Sequence, residues 1–168
     1  MQALADYGYY AQPYLAAQNG WTIGENYAAM TTHVTESYDY GKVKEAAAEY
    51  AIVKDTGDSV TGISYRMRFG SEIELQVILT PAEGVTIDSV TVNDEAVTPK
   101  KSGEKYIVSI PGIKATQLTA SHTVAAADAS VTISPMSYVY GILASSDTTD
   151  AAKNLVCALY NYAQACKL

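Results

Sequence analysis

The stretch from Val60 to Ser134 alternates apolar and polar residues, and this period of two constrains the fold more than any other feature. Turn residues interrupt the alternation about every 8–12 positions, which is the spacing of an Ig-like sandwich. Seven strands are predicted, at Val60–Phe69, Glu72–Thr80, Val85–Val92, Val97–Pro99, Lys105–Ile110, Leu118–Ala125 and Ser130–Ser134. The Pro111-Gly112 pair is expected to interrupt the block after the fifth strand.

Helix-forming segments lie on both sides of this block. Gln2–Asn19 carries an apolar stripe and ends at Asn19-Gly20, while Ser134-Pro135 supplies an N-cap and a first-turn proline for a helix to about residue 144. A last helix is predicted over Ala151–Lys167. The segment around Lys42–Glu49 is ambiguous between a helix and a turn.

The predicted fold class is therefore α+β, with about seven antiparallel strands in an Ig-like β-sandwich flanked by packed N- and C-terminal helices. Residues 1–59 are assigned to an N-terminal helical segment, 60–134 to the sandwich and 135–168 to a C-terminal helical pair. The two ends of the chain are expected to pack together, so that all three parts form one compact unit.

The charge balance excludes several classes of partner. The chain has 168 residues, a net charge of −7 and only 17% charged residues. A negative field repels phosphate groups and anionic lipids, so neither nucleic-acid binding nor membrane-surface binding is expected. No apolar run approaches about 18 residues, so membrane insertion is not expected. The low charge favours an extracellular or cell-surface location. Because no signal peptide follows Met1, the protein is expected either to be cytoplasmic or, as the preferred interpretation, to be a fragment of a longer secreted protein.

No constellation of residues predicts catalysis, so the chain is not expected to be an enzyme and no catalytic residue is assigned. His33 and His122 are the only histidines, and His122 is expected in a strand. Glu72 and Glu74 share one strand face without an evident cleft between two carboxylates, as glycoside hydrolysis would need. A cryptic catalytic triad is the remaining enzymatic alternative.

No cofactor and no metal site is predicted either. The oxygen-rich turns at Asp55–Asp58 and Asn93–Glu95 are candidate calcium sites. Because Asp and Asn side chains in turns bond to their own backbone, a purely structural role is the simpler explanation of these residues. Cys157 and Cys166 lie nine positions apart in one predicted helix, which places the thiols on opposite faces. They are therefore expected to stay unpaired.

Aromatic composition gives the candidate binding residues. The chain has fourteen tyrosines beside one phenylalanine and one tryptophan. Tyrosine combines a wide contact area with a polar tip, which suits both binding surfaces and half-buried packing. Packing is the better first interpretation of most of them. Trp21, which is expected to fold back on the helices, is assigned with Tyr9, Tyr14 and Tyr27 to a candidate binding surface.

Five stretches together resemble a module found in large secreted proteins of gut Clostridia. Residues 4–15 resemble its L-x-x-Y-G-x-x-A-Q-x-Y-F helix, and residues 134–143 resemble its S-P-x-S-Y-V-Y-x-x-L helix. Residues 154–165 are similar to its closing N-L-x-x-A-L-Y-x-Y-x-Q-A segment. Residues 106–113 resemble its Y-x-V-x-I-P-G-I strand, and residues 92–99 resemble its hairpin. Only the region around residues 38–51 departs from the pattern.

The resemblance implies a C-terminal-type module, built as helix, Ig-like sandwich and helix, with no defined activity and no active-site residues. Its partners would be other domains of the parent protein. The leading hypothesis is thus a non-catalytic scaffold or recognition module of a bacterial surface or secreted protein. The alternatives are a carbohydrate-binding module that uses Trp21 and exposed tyrosines, and an adhesin-like ligand for a host surface protein.

Overall fold

Two antiparallel β-sheets form the body of the protein, and helices lie on either side of them in the sequence. The structure is a computed structural model that describes residues 1–24, 27, 34–35, 37–69 and 72–167. Within these ranges it contains four α-helices and nine strands, which confirms the α+β class. The arrangement is sandwich-like, with five strands in one sheet and four in the other.

Three strands of the four-stranded sheet have nine residues each, whereas its fourth strand and all strands of the five-stranded sheet have three to five. The five-stranded sheet has the order β1-β9-β8-β4-β5, and the four-stranded sheet has the order β2-β3-β7-β6. The bounds are β1 Val53–Asp55, β2 Val60–Arg68, β3 Ile73–Pro81, β4 Val90–Val92, β5 Glu95–Val97, β6 Lys100–Ser102, β7 Lys105–Ile113, β8 His122–Ala126 and β9 Ala129–Ile133.

The period-two pattern determines which face of each sheet is buried. In the four-stranded sheet Met67, Leu75 and Ile110 align across three strands and all are buried. Their neighbours along each strand point to the opposite face. The β4–β5 hairpin turns at Asn93 and Asp94, which both have positive φ of 51° and 67°. This two-residue turn matches the right-handed twist of the strands and fixes their register.

The four helices begin and end at local signals. Their bounds are α1 Gln2–Asn19, α2 Tyr40–Ala48, α3 Pro135–Ala144 and α4 Asp150–Ala165. The side chains of Asp39, Ser134 and Thr149 accept a hydrogen bond from the first turns of α2, α3 and α4 respectively. Gly20 ends α1 in the left-handed conformation.

The terminal helices pack against each other, as the sequence predicts. The rings of Tyr7 in α1 and Tyr162 in α4 stack with centroids 5.8 Å apart. The hydroxyl of Tyr40 in α2 donates to Asn154 Oδ1 in α4 at 2.6 Å. Buried residues of the helices and the sheets belong to one continuous core.

The prediction of seven strands is wrong, because β1 and β6 were not foreseen. Both are three-residue strands whose residues are all exposed, so neither has a buried face that could give a periodic pattern. Pro111-Gly112 does not end the fifth predicted strand but lies inside β7, where the register with β3 shifts. Although β1 lies within residues 1–59, it pairs with β9 in the five-stranded sheet.

The predictions for the ambiguous segment and the cysteines agree with the structure. The segment around Lys42–Glu49 is helical, as α2. Cys157 is buried, Cys166 is exposed, and both are free thiols. None of the helices in the described ranges combines the length and the hydropathy needed to cross a bilayer.

Candidate functional site

Trp21 is the most exposed aromatic residue of the chain. The backbone N–H groups of Gly20 and Trp21 both donate to Ala16 O, so the chain turns sharply out of α1 at this point. The Trp21 side chain is 64% exposed, whereas every tyrosine and Phe69 is less so. Trp21 therefore does not fold back on the helices, and that expectation was wrong.

A small hollow lies beside Trp21 at the end of α1. Its volume is about 120 Å³, and it is lined by Gln12, Leu15, Ala16, Trp21, Thr22, Ile23 and Gly24. The lining combines an indole ring with aliphatic, amide and hydroxyl groups. Such a mixture offers stacking and hydrogen bonding to a small ring-shaped ligand.

The three candidate tyrosines do not accompany Trp21 in the lining of this hollow. Tyr9 and Tyr27 stack on each other with ring centroids 4.4 Å apart and an interplanar angle of 1°. Burial and a hydrogen bond with Tyr9 raise the pKa of Tyr27. Tyr14 packs edge-on against Phe69 at 5.2 Å, and its hydroxyl reaches Met67 O at 3.5 Å. Each of these rings has a packing partner within the fold.

A buried carboxylate near the start of α1, which the sequence did not reveal, joins this helix to Thr35. Asp6 is only 3% exposed and accepts hydrogen bonds from Thr35 N (3.0 Å), Thr35 Oγ1 (2.7 Å) and Gln2 Nε2 (2.7 Å). The Tyr10 hydroxyl donates to Thr35 O. Burial alone would raise the pKa of Asp6, but the hydrogen bonds from Thr35 and Gln2 outweigh it and lower the pKa.

A second polar cluster lies on the outer face of the four-stranded sheet, which we call the basic face. Cross-strand partners share a face, and the register aligns Arg66 with Gln76 and Ser109, and Arg68 with Glu74. The residues that define the basic face are Ser64, Arg66, Arg68, Glu74, Gln76, Ile78, Lys100, Lys105, Ile107 and Ser109.

Gln76 is the centre of a hydrogen-bond network on the basic face. Its Oε1 accepts from Arg66 Nε at 2.7 Å, and its Nε2 donates to Glu74 Oε1 at 2.7 Å and to Ser109 Oγ at 3.3 Å. Gln76 is only 5% exposed although its row faces outwards, because these side chains surround it. The amide therefore has a fixed orientation and holds Arg66 in place.

Glu74 stays ionised within this network. Burial alone would raise the pKa of Glu74, but hydrogen bonds from Ser109 and Gln76 and the charges of Arg68 and Arg66 lower it. The carboxylate thus accepts from Gln76 while it stands beside both guanidinium groups. The basic face carries one negative charge among its positive charges.

Two larger clefts lie elsewhere on the sandwich. One of about 510 Å³ lies between the β3–β4 loop and the β6–β7 turn and includes Lys101 and Tyr106. The other, of about 310 Å³, is lined by residues of β4, β5 and β7 and by His122 of β8. His122 lies in a strand, as predicted, and Asn93 Nδ2 is 3.4 Å from its Nδ1. Burial lowers the pKa of His122.

The remaining residues weighed for chemistry have structural surroundings or lie outside the described ranges. The backbone N–H of Asp58 donates to Asp128 Oδ2 at 2.7 Å, and Asn93 Oδ1 accepts from Thr123 N at 2.9 Å. No group of three or more His, Cys, Asp or Glu side chains suited to a metal ion occurs among the described residues. His33 lies outside them.

No family model, no curated protein and no solved structure matches this chain.

Proposed function

We propose that this chain is a non-catalytic recognition module of a larger secreted or cell-surface bacterial protein, and that Trp21 contacts its ligand. The observation that carries the proposal is the 64% exposure of the Trp21 side chain beside a hollow of about 120 Å³. The proposal extends to an extracellular location and to an Ig-like character of the sandwich. The low content of charged residues and the resemblance of α1, α3 and α4 to a module of secreted proteins support both.

An exposed tryptophan is costly unless a partner covers it. A tryptophan side chain buries 150–250 Å² when covered. At about 25 cal/mol per Å², covering the exposed part of Trp21 would contribute roughly 2–4 kcal/mol. That is a large contribution for one side chain, and the other aromatic rings of the region already have partners within the protein.

A sugar ring is the ligand that this hollow suits best. The apolar face of a sugar stacks on an indole, and its hydroxyl groups need hydrogen-bonding partners at the rim. Gln12 and Thr22 line the same hollow and provide an amide and a hydroxyl. We therefore place the carbohydrate site at Trp21, Gln12 and Thr22 and assign Tyr9, Tyr14 and Tyr27 to packing.

Affinity electrophoresis against a panel of plant and host polysaccharides tests this proposal. The wild-type chain should be retarded by at least one glycan, and Trp21→Ala should lose the retardation while its unfolding curve stays unchanged. Leu4→Ala is the matched control, because Leu4 is a 50% exposed apolar residue of α1 that does not line the hollow. No retardation by any glycan would contradict the carbohydrate site, and turnover of a polysaccharide would contradict the non-catalytic assignment.

A host protein is the second candidate for the same surface. Leu4, Trp21 and Ile23 are exposed at 50%, 64% and 37%, and all three belong to the N-terminal 23 residues. Trp21 and Ile23 line the hollow together, and a contiguous exposed apolar patch marks a protein-binding surface. Capture of a host surface protein by the wild type, lost in both Leu4→Ala and Trp21→Ala, would favour the adhesin-like function over the carbohydrate site.

A further inference from the structure

The positive charges of this acidic protein are unevenly distributed over its surface. The chain contains only two arginines, Arg66 and Arg68, and both are exposed on the basic face together with Lys100 and Lys105. Glu74 is the one carboxylate among the strand residues that define that face; Glu72 lies on the same side but precedes β3. The residues that define the basic face therefore carry a net charge of +3. Because the whole chain carries −7, the remainder of the protein carries −10.

The neighbouring carboxylates lie at the rim of the basic face rather than within it. Glu72 precedes β3, and Glu104 lies in the turn between β6 and β7. These two residues lie at opposite ends of the sheet, and the four cations lie between those ends. A partner that spans the sheet from β2 to β6 therefore meets cations on both sides.

The cations form two groups on a diagonal across the sheet. Arg66 and Arg68 lie on the outermost strand β2, and Lys100 lies three strands away on β6, one row further along. With strands about 4.8 Å apart and a rise of about 3.3 Å per residue, the Cα atoms of Arg66 and Lys100 are roughly 16 Å apart. A short anion cannot reach both groups, but an extended polyanion can.

The arginine end of this diagonal is held ready for a carboxylate. Arg66 Nε donates to the buried Gln76 amide at 2.7 Å, and the guanidinium has four further N–H donors on an exposed side chain. A guanidinium binds a carboxylate through two parallel hydrogen bonds. Because Gln76 already fixes the orientation of Arg66, less side-chain entropy is lost when the ligand binds.

The residues between the two groups favour a polysaccharide over a protein. They are Ser64, Gln76, Ile78, Ile107 and Ser109. Serine hydroxyls match the hydroxyls of a sugar chain, whereas the cores of protein interfaces are enriched in aromatic residues, methionine and arginine. The basic face has the arginines but no aromatic residue and no methionine. Single-stranded nucleic acids stack their bases on aromatic side chains, which this face lacks.

We propose that the basic face binds a linear acidic polysaccharide whose uronate carboxylates pair with Arg66 and Arg68 at one end and with Lys100 and Lys105 at the other. The surface shares no residue with the Trp21 hollow. The inference therefore does not depend on the carbohydrate site proposed there.

The test compares binding of polygalacturonate with binding of its methyl-esterified form, in which the carboxylates are neutral. The variant is Arg66→Gln/Arg68→Gln. Its matched control is Lys42→Gln/Lys44→Gln, which removes the same charge from α2. Wild type should bind only the free acid, and the arginine variant should bind about tenfold more weakly or worse, while the control changes by less than about twofold. Affinity should fall on raising the salt from about 20 mM to about 300 mM.

Several outcomes would overturn the inference. These are equal binding of the esterified polymer, no binding of the free acid, or equal losses in the arginine variant and its control. Binding of poly-L-glutamate as tight as that of polygalacturonate, lost equally in the arginine variant, would reassign the face to acidic proteins. If Trp21→Ala abolished polygalacturonate binding and the arginine variant did not, the basic face would be excluded while the Trp21 proposal stood.

Discussion

Two buried polar side chains, Asp6 in α1 and Gln76 on the basic face, make a similar number of hydrogen bonds but have different structural roles. Asp6 joins segments that are 29 residues apart in the sequence, because it accepts hydrogen bonds from Gln2 in α1 and from Thr35. Gln76 joins three adjacent strands, and its partners Arg66 and Ser109 are themselves exposed. A buried polar group that ties a helix to a distant segment holds the fold together, whereas one that orients an exposed arginine prepares a surface.

Removal of Asp6 should have the largest effect on stability. Asp6→Ala leaves the Thr35 N–H and hydroxyl without their acceptor, and we expect a loss of about 2–4 kcal/mol in the free energy of unfolding. Urea denaturation measures this change. Asp6→Asn, which keeps one acceptor oxygen, should lose less. Equal stability of wild type and Asp6→Ala would show that the contact with Thr35 does not hold α1 in place.

Replacement of Gln76 should cost less stability but should weaken ligand binding more. Gln76→Leu preserves the volume and removes the bond to Arg66 Nε, and because the partners are exposed to water we expect a loss of only about 1 kcal/mol. The affinity for polygalacturonate should fall although no charge has changed. Thr132→Ala on the outer face of the five-stranded sheet, where the Thr132 hydroxyl lies 3.1 Å from the Thr123 hydroxyl, is the control and should alter neither. An unchanged affinity of Gln76→Leu for polygalacturonate would show that the orientation of Arg66 by Gln76 does not contribute to binding.

Lowering the pH should also affect the Asp6 and Glu74 clusters, with smaller changes in the free energy of unfolding than Asp6→Ala or Gln76→Leu causes. The pKa of Asp6 lies below 3.8 and that of Glu74 below 4.5 in the folded protein. A depressed carboxyl pKa contributes stability above its unfolded value and loses it as pH falls through its folded value. The free energy of unfolding should therefore decrease in the acid range, less steeply in Asp6→Asn and in Glu74→Gln than in wild type. Parallel curves for all three proteins would contradict this assignment.

Local signals in the sequence predicted the fold where they were complete. Ser134-Pro135 encodes both the cap and the first turn of α3, and the alternation in β2 and β3 encodes their buried face. The strands β1 and β6 carry no such signal, since they exist because β9 and β7 offer them backbone partners. Pro111-Gly112 was interpreted as a strand end because the sequence does not distinguish a bulge from a break.

The candidate site was harder to predict for a related reason. Trp21 was singled out by composition, and the structure leaves it exposed. Tyr9, Tyr14 and Tyr27 have the same composition signal, but the stacking partner of each ring is set by contacts distant in sequence. Glu74 was noted only beside Glu72, and its connection to Arg66 through Gln76 requires the register of two strands. Period-two alternation indicates that these side chains face outwards but not which of them meet.

The stacking of Tyr7 on Tyr162 also determines how the protein responds to mechanical force. These two rings, 155 positions apart in a chain of 168 residues, bring its two ends together. We expect a force applied to both ends of the chain to break the contacts between α1 and α4 one after another before it extends the strands. The helix pair would act as a yielding element that protects the sandwich, and with it the basic face, from extension.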